Sequence, residues 1–287
     1  MRLHLIDGTF ELFRAHFSKR PDGPRKATLG IAGQMITLLH SREEQVTHAA
    51  IAFDNPIRSF RNDLFAGYKT DAGVPPELLS QFDAAEEACR ALGLTVWSMQ
   101  QFEADDALAT GARRFRDQVE QVRILTPDKD LGQCLLGERV VQVDVLRRKV
   151  IDERALIERR GILPRSIPDW LALVGDDADG IPGLPGFGDK TAAALLALHP
   201  RLEEIPLDPR RWPSSVRGAG KLAGTLAARL EDALLYRRLA TLVDDAPLPQ
   251  TRSLEDLRWT GVPRARFEAW CAAHGAGELR ARPGRWS

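Results

Sequence analysis

The chain has 287 residues, enough for one large α/β domain or two modest ones whose core needs no disulfide support. Its three cysteines, Cys89, Cys134 and Cys271, are odd in number and lack any Cys-x-x-Cys spacing. That argues against a secreted disulfide framework and predicts buried thiols in a reduced protein. Lysine plus arginine balance aspartate plus glutamate, so net charge alone gives no support to polyanion binding.

In chain order, residues 1–7 reach an acid before a signal-peptide core could form, and no later apolar run approaches the ~20 residues of a membrane span. A soluble, cytoplasmic protein with no membrane partner is expected. Residues 3–6 read as a strand stopping at Asp7, 30–40 as a helix, and 49–53 as a strand stopping at Asp54. Helices at 78–92 and 104–115 follow, with strands at 95–98, 122–126 (before Asp128) and 140–145. This alternation predicts a parallel sheet with helices on both faces. Its ligand crevice would lie beyond the carboxyl ends of the strands, so Asp7, Asp54 and Asp128 should converge there. After about Asp169 the chain reads as helices at 170–174, 190–198 and 222–242, separated by Gly-Pro loops. From about Asp244 it reads as irregular and Pro/Arg-rich, with disorder at the last few residues.

Acids gather at the ends of these elements. Glu103, Asp105 and Asp106 open a helix, where they suit the positive end of its dipole or merely cap it. Asp128 and Asp130 follow a strand, and Asp176 and Asp179 lie between helices. Together with Asp7 and Asp54 these nine carboxylates would repel in one cleft unless cations joined them. Ligation by oxygen alone, without usable His or Cys, favours two Mg²⁺ or Mn²⁺ ions over Zn²⁺ and implies phosphodiester hydrolysis.

The glycine-rich run Gly183-Leu184-Pro185-Gly186-Phe187-Gly188-Asp189-Lys190-Thr191 lacks the Gly-Lys-Ser/Thr ending of a nucleotide P-loop and follows no predicted strand. It is either an ordinary interhelical turn or a backbone grip on phosphate, offered by exposed N–H groups at a helix N-terminus. Upstream, Arg61 or Lys69 could polarise a phosphate and Tyr68 could stack on an unpaired base, unless they are surface cations and a core tyrosine.

The joint pattern resembles the bacterial 5′ nuclease family: the N-terminal nuclease domain of DNA polymerase I, its free-standing homologues, phage relatives and flap endonucleases. The motifs that carry the resemblance are Leu5-Ile6-Asp7-Gly8, Ala52-Phe53-Asp54, Ser59-Phe60-Arg61, Gly67-Tyr68-Lys69, Glu103-Ala104-Asp105-Asp106, Thr126-Pro127-Asp128-Lys129-Asp130 and Val174-Gly175-Asp176 through Thr191. It implies a PIN-like α/β nuclease domain over 1–168 with a helical arch at about 61–79, a helix-three-turn-helix domain over 169–250, and an extension over 251–287. It further implies a first metal site of Asp7, Asp54, Glu103 and Asp105, with Asp106 on a metal-bound water, and a second site of Asp128, Asp130, Asp176 and Asp179. Catalysis would then involve Lys69, Arg61, Asp7, Asp105 and Asp130. DNA contacts would come from Tyr68, Lys69, Gly183, Gly186, Gly188, Lys190 and Thr191, with K⁺ at the glycine loop.

The implied activity is 5′-3′ exonuclease and flap endonuclease action by a monomer on DNA with a 5′ flap, 5′ overhang or nick. A non-catalytic DNA-junction binder and a PIN-type ribonuclease are the alternatives. A haloacid-dehalogenase-like phosphatase wants a second acid two residues after Asp7, where Thr9 stands. The sequence departs from the family at Ala72, where a second arch cation is common, and at Gly180, where Asn or Ser is common.

Overall fold

A computed structural model describes residues 1–287 and divides into two compact units, neither continuous in sequence. Unit 1 comprises Met1–Ser59, Asp71–Thr126 and Val243–Ser287; unit 2 comprises Phe60–Thr70 and Pro127–Leu242. No helix is long and apolar enough to cross a membrane.

Unit 1 is built on four strands, β1 (Arg2–Asp7), β2 (His48–Asp54), β3 (Thr95–Met99) and β4 (Gln121–Leu125). They lie in the order β3-β2-β1-β4, all parallel, as the βα alternation predicts. β1 and β2 are buried almost continuously rather than at alternate residues, the pattern of strands covered on both faces. The register places Asp7 opposite Ala52 and Asp54 opposite Met99, so the carboxyl ends of neighbouring strands meet one edge.

Helices Gly8–His16, Lys26–Leu39, Phe82–Ala91 and Ala104–Phe115 follow the strands. The last has the bounds expected; the second begins four residues earlier than read. Gly30 belongs to its interior, where a Cβ would stand 2.6 Å from the Cβ of Ala15 on the neighbouring helix. Glycine there permits close helix packing and marks no helix start. The span 78–92 is two helices, Pro76–Leu79 and Phe82–Ala91. Between them the buried Gln81 turns inward, its Oε1 accepting from the Thr28 N–H at 3.1 Å and its Nε2 donating to the Glu77 carbonyl at 2.7 Å.

The tail beyond residue 243 is ordered, against the irregular reading. It holds helices Arg264–Ala273 and Gly277–Arg280 and is sewn into unit 1 by side chains. Trp97 Nε1 donates to Thr251 Oγ1 at 2.8 Å, Trp259 Nε1 to the Leu92 carbonyl at 3.0 Å, and Arg282 to the Gly33 carbonyl at 3.2 Å. A short parallel pairing joins Val262 and Trp286. Cys89 and Cys271 are buried and Cys134 half-buried, all as free thiols.

In unit 2 an antiparallel pair, β5 (Val140–Asp144) and β6 (Lys149–Ile151), precedes a helical body. Its helices are Glu153–Arg160, Ile167–Val174, Asp189–Leu196, Ala219–Ala228 and Leu230–Ala240. They enclose an apolar core that includes Leu171, Leu184, Leu195, Leu226 and Leu239. The single helix read over 222–242 breaks at Arg229 (φ −125°, ψ 27°). Buried positions recur through the break at helical spacing and no Gly or Pro marks it, so periodicity alone could not reveal it.

Gly30→Leu should destabilise unit 1 by about 1–3 kcal/mol through overpacking. Urea unfolding would show a lower midpoint; an unchanged midpoint would mean the two helices are not locked where they touch here.

Candidate metal centre

Each unit carries its own set of acids. In unit 1, Asp7 ends β1 and caps the helix that follows, one oxygen accepting from the Phe10 N–H and the other from Thr126 Oγ1, both at 2.8 Å. The chain can turn here because residue 8 is glycine: a Cβ would stand 2.6 Å from the Ala52 carbonyl oxygen. Asp54 ends β2 and accepts from the Ala104 N–H at 2.7 Å, which ties it to the start of the helix bearing Asp105. Glu103 accepts from Ser59 Oγ at 2.6 Å, and Asp105, two residues further on, is half-buried.

Asp106 differs from its neighbours. It is fully buried, and its two carboxylate oxygens accept from the backbone N–H groups of Glu103 (2.9 Å) and Val243 (2.8 Å). These bonds give Asp106 a capping and tethering role. A carboxylate spent on two buried N–H groups cannot leave them unpaired without a cost of about 1–3 kcal/mol each.

In unit 2, Asp130, Asp176 and Asp179 bring one carboxylate oxygen apiece within 4.8 Å of one another. Asp176 reaches the group through a turn closed by the Asp176–Ile181 backbone pair, and one of its carboxylate oxygens, Oδ2, lies 2.8 Å from Lys129 Nζ. Asp179 pairs with Lys69 Nζ at 2.9 Å, while the Asp179 carbonyl accepts from the Lys69 N–H at 3.0 Å. This approach explains Gly180: its φ is +70°, and a Cβ would stand 2.1 Å from the Gly67 carbonyl oxygen. An Asn or Ser at this position would have to move the 67–69 segment.

Asp130 is buried, and its Oδ1 has no hydrogen-bond partner. Burial, then the charges of Asp128, Asp179 and Asp176, hold its pKa well above the ordinary carboxylate range. Burial disfavours the Lys129 ammonium, but the hydrogen bond and charge of Asp176 with the nearby Asp130 and Asp128 outweigh it and raise the lysine's pKa. Three converging carboxylates with one orphaned buried oxygen fit a hard divalent cation, which takes oxygen ligands. Asp128 is exposed and accepts from the Asp130 N–H at 2.9 Å.

Two residues assigned to the substrate are interior. Arg61 is fully buried; Nε donates to the Leu239 carbonyl at 2.7 Å and Nη2 to the Thr241 carbonyl at 3.0 Å, so it fastens the end of a helix and its guanidinium is not presented to a phosphate. Tyr68 is 4% exposed within the core of unit 2, where its ring offers no face to a base. In the glycine loop, Gly183 (φ +68°) allows a backbone approach, since a Cβ would stand 2.5 Å from the Gly175 nitrogen. Gly186 (φ +89°) makes the next turn, and Gly188 precedes helix Asp189–Leu196 with open space at its Cα. Lys190 is exposed there and Thr191 half-buried. Lys129, in plain view between two acids, is the charged residue that the sequence reading left without a role.

Residues 2–161 match the N-terminal resolvase-like domain of 5′-3′ exonucleases, and residues 162–265 match their C-terminal SAM fold. The chain belongs to the 5′-3′ exonuclease family. It is 36% identical over 263 residues to DNA polymerase I of Mycobacterium leprae, covering 87% of this chain and 28% of that protein. It is 33% identical over 277 residues to the Bacillus caldotenax enzyme of the same name, covering 93% and 31%. The chain thus spans about three-tenths of the length of these curated relatives.

Among solved structures, bacteriophage T5 5′-exonuclease with bound divalent zinc ions superposes with a TM-score of 0.67 at 19% identity, covering 85% of this chain and 90% of that one. The T5 flap endonuclease in a pseudo-enzyme–product complex with DNA and metal ions gives 0.65 at 20% identity, with the same coverage. The catalytic core of Rad2 with DNA substrate gives 0.59 at 13%, covering 98% and 91%. These likenesses establish the exonuclease fold, a resolvase-like PIN domain followed by a SAM-like helical domain.

Because the folded-state pKa of Asp130 is raised, the folded protein holds its proton longer than the unfolded chain as pH rises. The ionisation penalty is absent below the ordinary carboxylate range and grows as pH climbs toward the raised value. In EDTA at neutral pH, Asp130→Asn should therefore raise the melting temperature, and the gain should vanish near pH 3. A loss of stability at pH 7 would contradict this electrostatic account.

Proposed function

We propose that this chain hydrolyses DNA phosphodiesters near 5′ ends and at junctions between duplex and a 5′ single strand, as a metal-dependent 5′-3′ exonuclease and flap endonuclease. The observation that carries the reading is the Asp130–Asp176–Asp179 group with its unpartnered buried oxygen, in a chain of the 5′-3′ exonuclease family. These three would hold one Mg²⁺ or Mn²⁺ ion, and Asp7, Asp54, Glu103 and Asp105 another. Such ions, when bound, activate water, polarise the phosphodiester and stabilise the leaving oxygen.

The chain's own residues supply the rest. Lys69 is partly exposed beside Asp179, and its ammonium would turn to a phosphate oxygen at the expense of that ion pair. There it would stabilise charge that develops as the bond breaks. Gly186, Gly188, Lys190 and Thr191 surround a helix N-terminus, which suits a sequence-independent grip on a phosphate backbone; loop carbonyls could share a K⁺ ion with that phosphate. A cytoplasmic monomer acting on flaps, overhangs or nicks completes the reading. The relatives named above support it through the DNA and metal ions in their own structures.

End-labelled 5′-flap, blunt duplex and single-stranded DNA, incubated with Mg²⁺, Mn²⁺ or EDTA, test it directly. Cleavage near the flap junction that requires metal is expected, and tight binding with no product would establish a junction binder instead. Lys69→Ala should lower kcat by about 10²–10³-fold while leaving DNA affinity nearly unchanged. Matching losses in kcat and affinity would assign the lysine to binding alone.

A further inference from the structure

Unit 2 has an open cleft of about 660 Å³ whose lining includes Lys129, Arg159, Arg160, Trp170, Asp176 and Lys190. Arg159 and Arg160 close the helix Glu153–Arg160, and the chain turns away immediately at Gly161 (φ +74°). The Arg160 guanidinium stacks 4.3 Å over the ring of Trp170, itself buried in the next helix. Such stacking fixes the plane of a long side chain and leaves its N–H edge available for hydrogen bonding. Neither arginine nor Lys190 has a carboxylate within ion-pair distance, whereas Lys129 is taken by Asp176. The lining therefore holds three cations, together with the acids Asp177 and Asp189, outside any ion pair. Burial, then the adjacent Arg159 charge, lower the pKa of Arg160, with the charges of Asp189 and Asp130 opposing them.

We propose that Arg159, Arg160 and Lys190 form a phosphate-holding subsite for a nucleic-acid strand, which continues the backbone grip of the glycine loop toward Asp176. The cations come from two helices and the cleft is open, so it suits a strand passing through better than an enclosed mononucleotide. Arg160 can present two N–H donors to one phosphate, and Arg159 and Lys190 add charge to the neighbouring ones. Trp170 acts as a positioning residue for Arg160. The subsite rests on the nuclease reading and deepens it.

The test is fluorescence anisotropy of a labelled 5′-overhang duplex in EDTA, titrated with NaCl, for the wild type and for Arg159→Ala combined with Arg160→Ala. Each phosphate that is no longer neutralised makes the plot of log K against log salt shallower by roughly 0.7–0.9, so a decrease of about one to two is expected. Arg160→Lys in the Arg159→Ala background should restore part of the slope. Arg159→Ala alone, at an exposed position outside the core, should give a partial decrease and guards against misfolding of the double variant. Equal slopes for wild type and double variant overturn the subsite while the nuclease reading stands. Failure of the wild type to bind the duplex overturns both. Saturable binding of free dTMP that the double substitution abolishes, with no change in the duplex slope, would make the cleft a nucleotide site and also overturn the proposal.

Discussion

Carboxylates held close together inside a protein must be neutralised, by protons, by ammonium groups or by metal ions, and the construction of unit 2 follows from that requirement. Asp130 is buried with Asp176 and Asp179 beside it, and the cost of ionising it there is visible in its raised pKa. Lys129 and Lys69 each neutralise one of its neighbours. The chain invests backbone geometry in this crowding: a tight turn from Asp176 to Ile181, and a glycine at 180 that lets the 67–69 segment lie against Asp179. A divalent ion answers all three carboxylates at once, which no arrangement of lysines does as compactly.

Unit 1 meets the same requirement differently. Its acids are spread along one edge of a parallel sheet and are oriented by short polar contacts: Asp7 by Phe10 and Thr126, Asp54 by Ala104, Glu103 by Ser59. The sheet fixes these positions because parallel strands in this register end together, and Gly8 permits the turn that makes Asp7 both strand end and helix cap. The tail supports the same body through Trp97, Trp259 and the Val262–Trp286 pairing. Asp106 contributes to this support, since it binds the N–H of Val243 where the tail begins.

Much of this could be read from the residues. Strands that stop at carboxylates, helices with apolar periodicity and the glycine-rich loop predicted a parallel α/β core and a helical body, and both are present. What could not be read depends on which way a side chain points. Arg61 and Tyr68 have the composition of a substrate-facing pair, yet both turn inward, where Arg61 satisfies carbonyls at a helix end and Tyr68 fills core volume. Asp106 and Asp128 belong to acidic motifs yet satisfy backbone N–H groups, because a carboxylate beside an unpaired N–H serves as a cap as readily as a metal ligand. Lys129 carries no signal apart from its neighbours, because its partner Asp176 is distant in sequence. The order of the tail has no period in the sequence, because it rests on Trp97 and Trp259 pairing with a hydroxyl and a carbonyl distant in the chain.

Whether the carboxylates of unit 2 are cation ligands is tested most directly by crystals grown with Mn²⁺, with anomalous differences collected at the manganese edge. The expected result is a peak about 2.0–2.3 Å from the oxygens of Asp130, Asp176 and Asp179, including Asp130 Oδ1, with the ammonium groups of Lys129 or Lys69 displaced from their carboxylates. A clean map with no peak, and both lysines still paired, would mean that the group is a salt-bridged structural cluster and would contradict a metal-binding role.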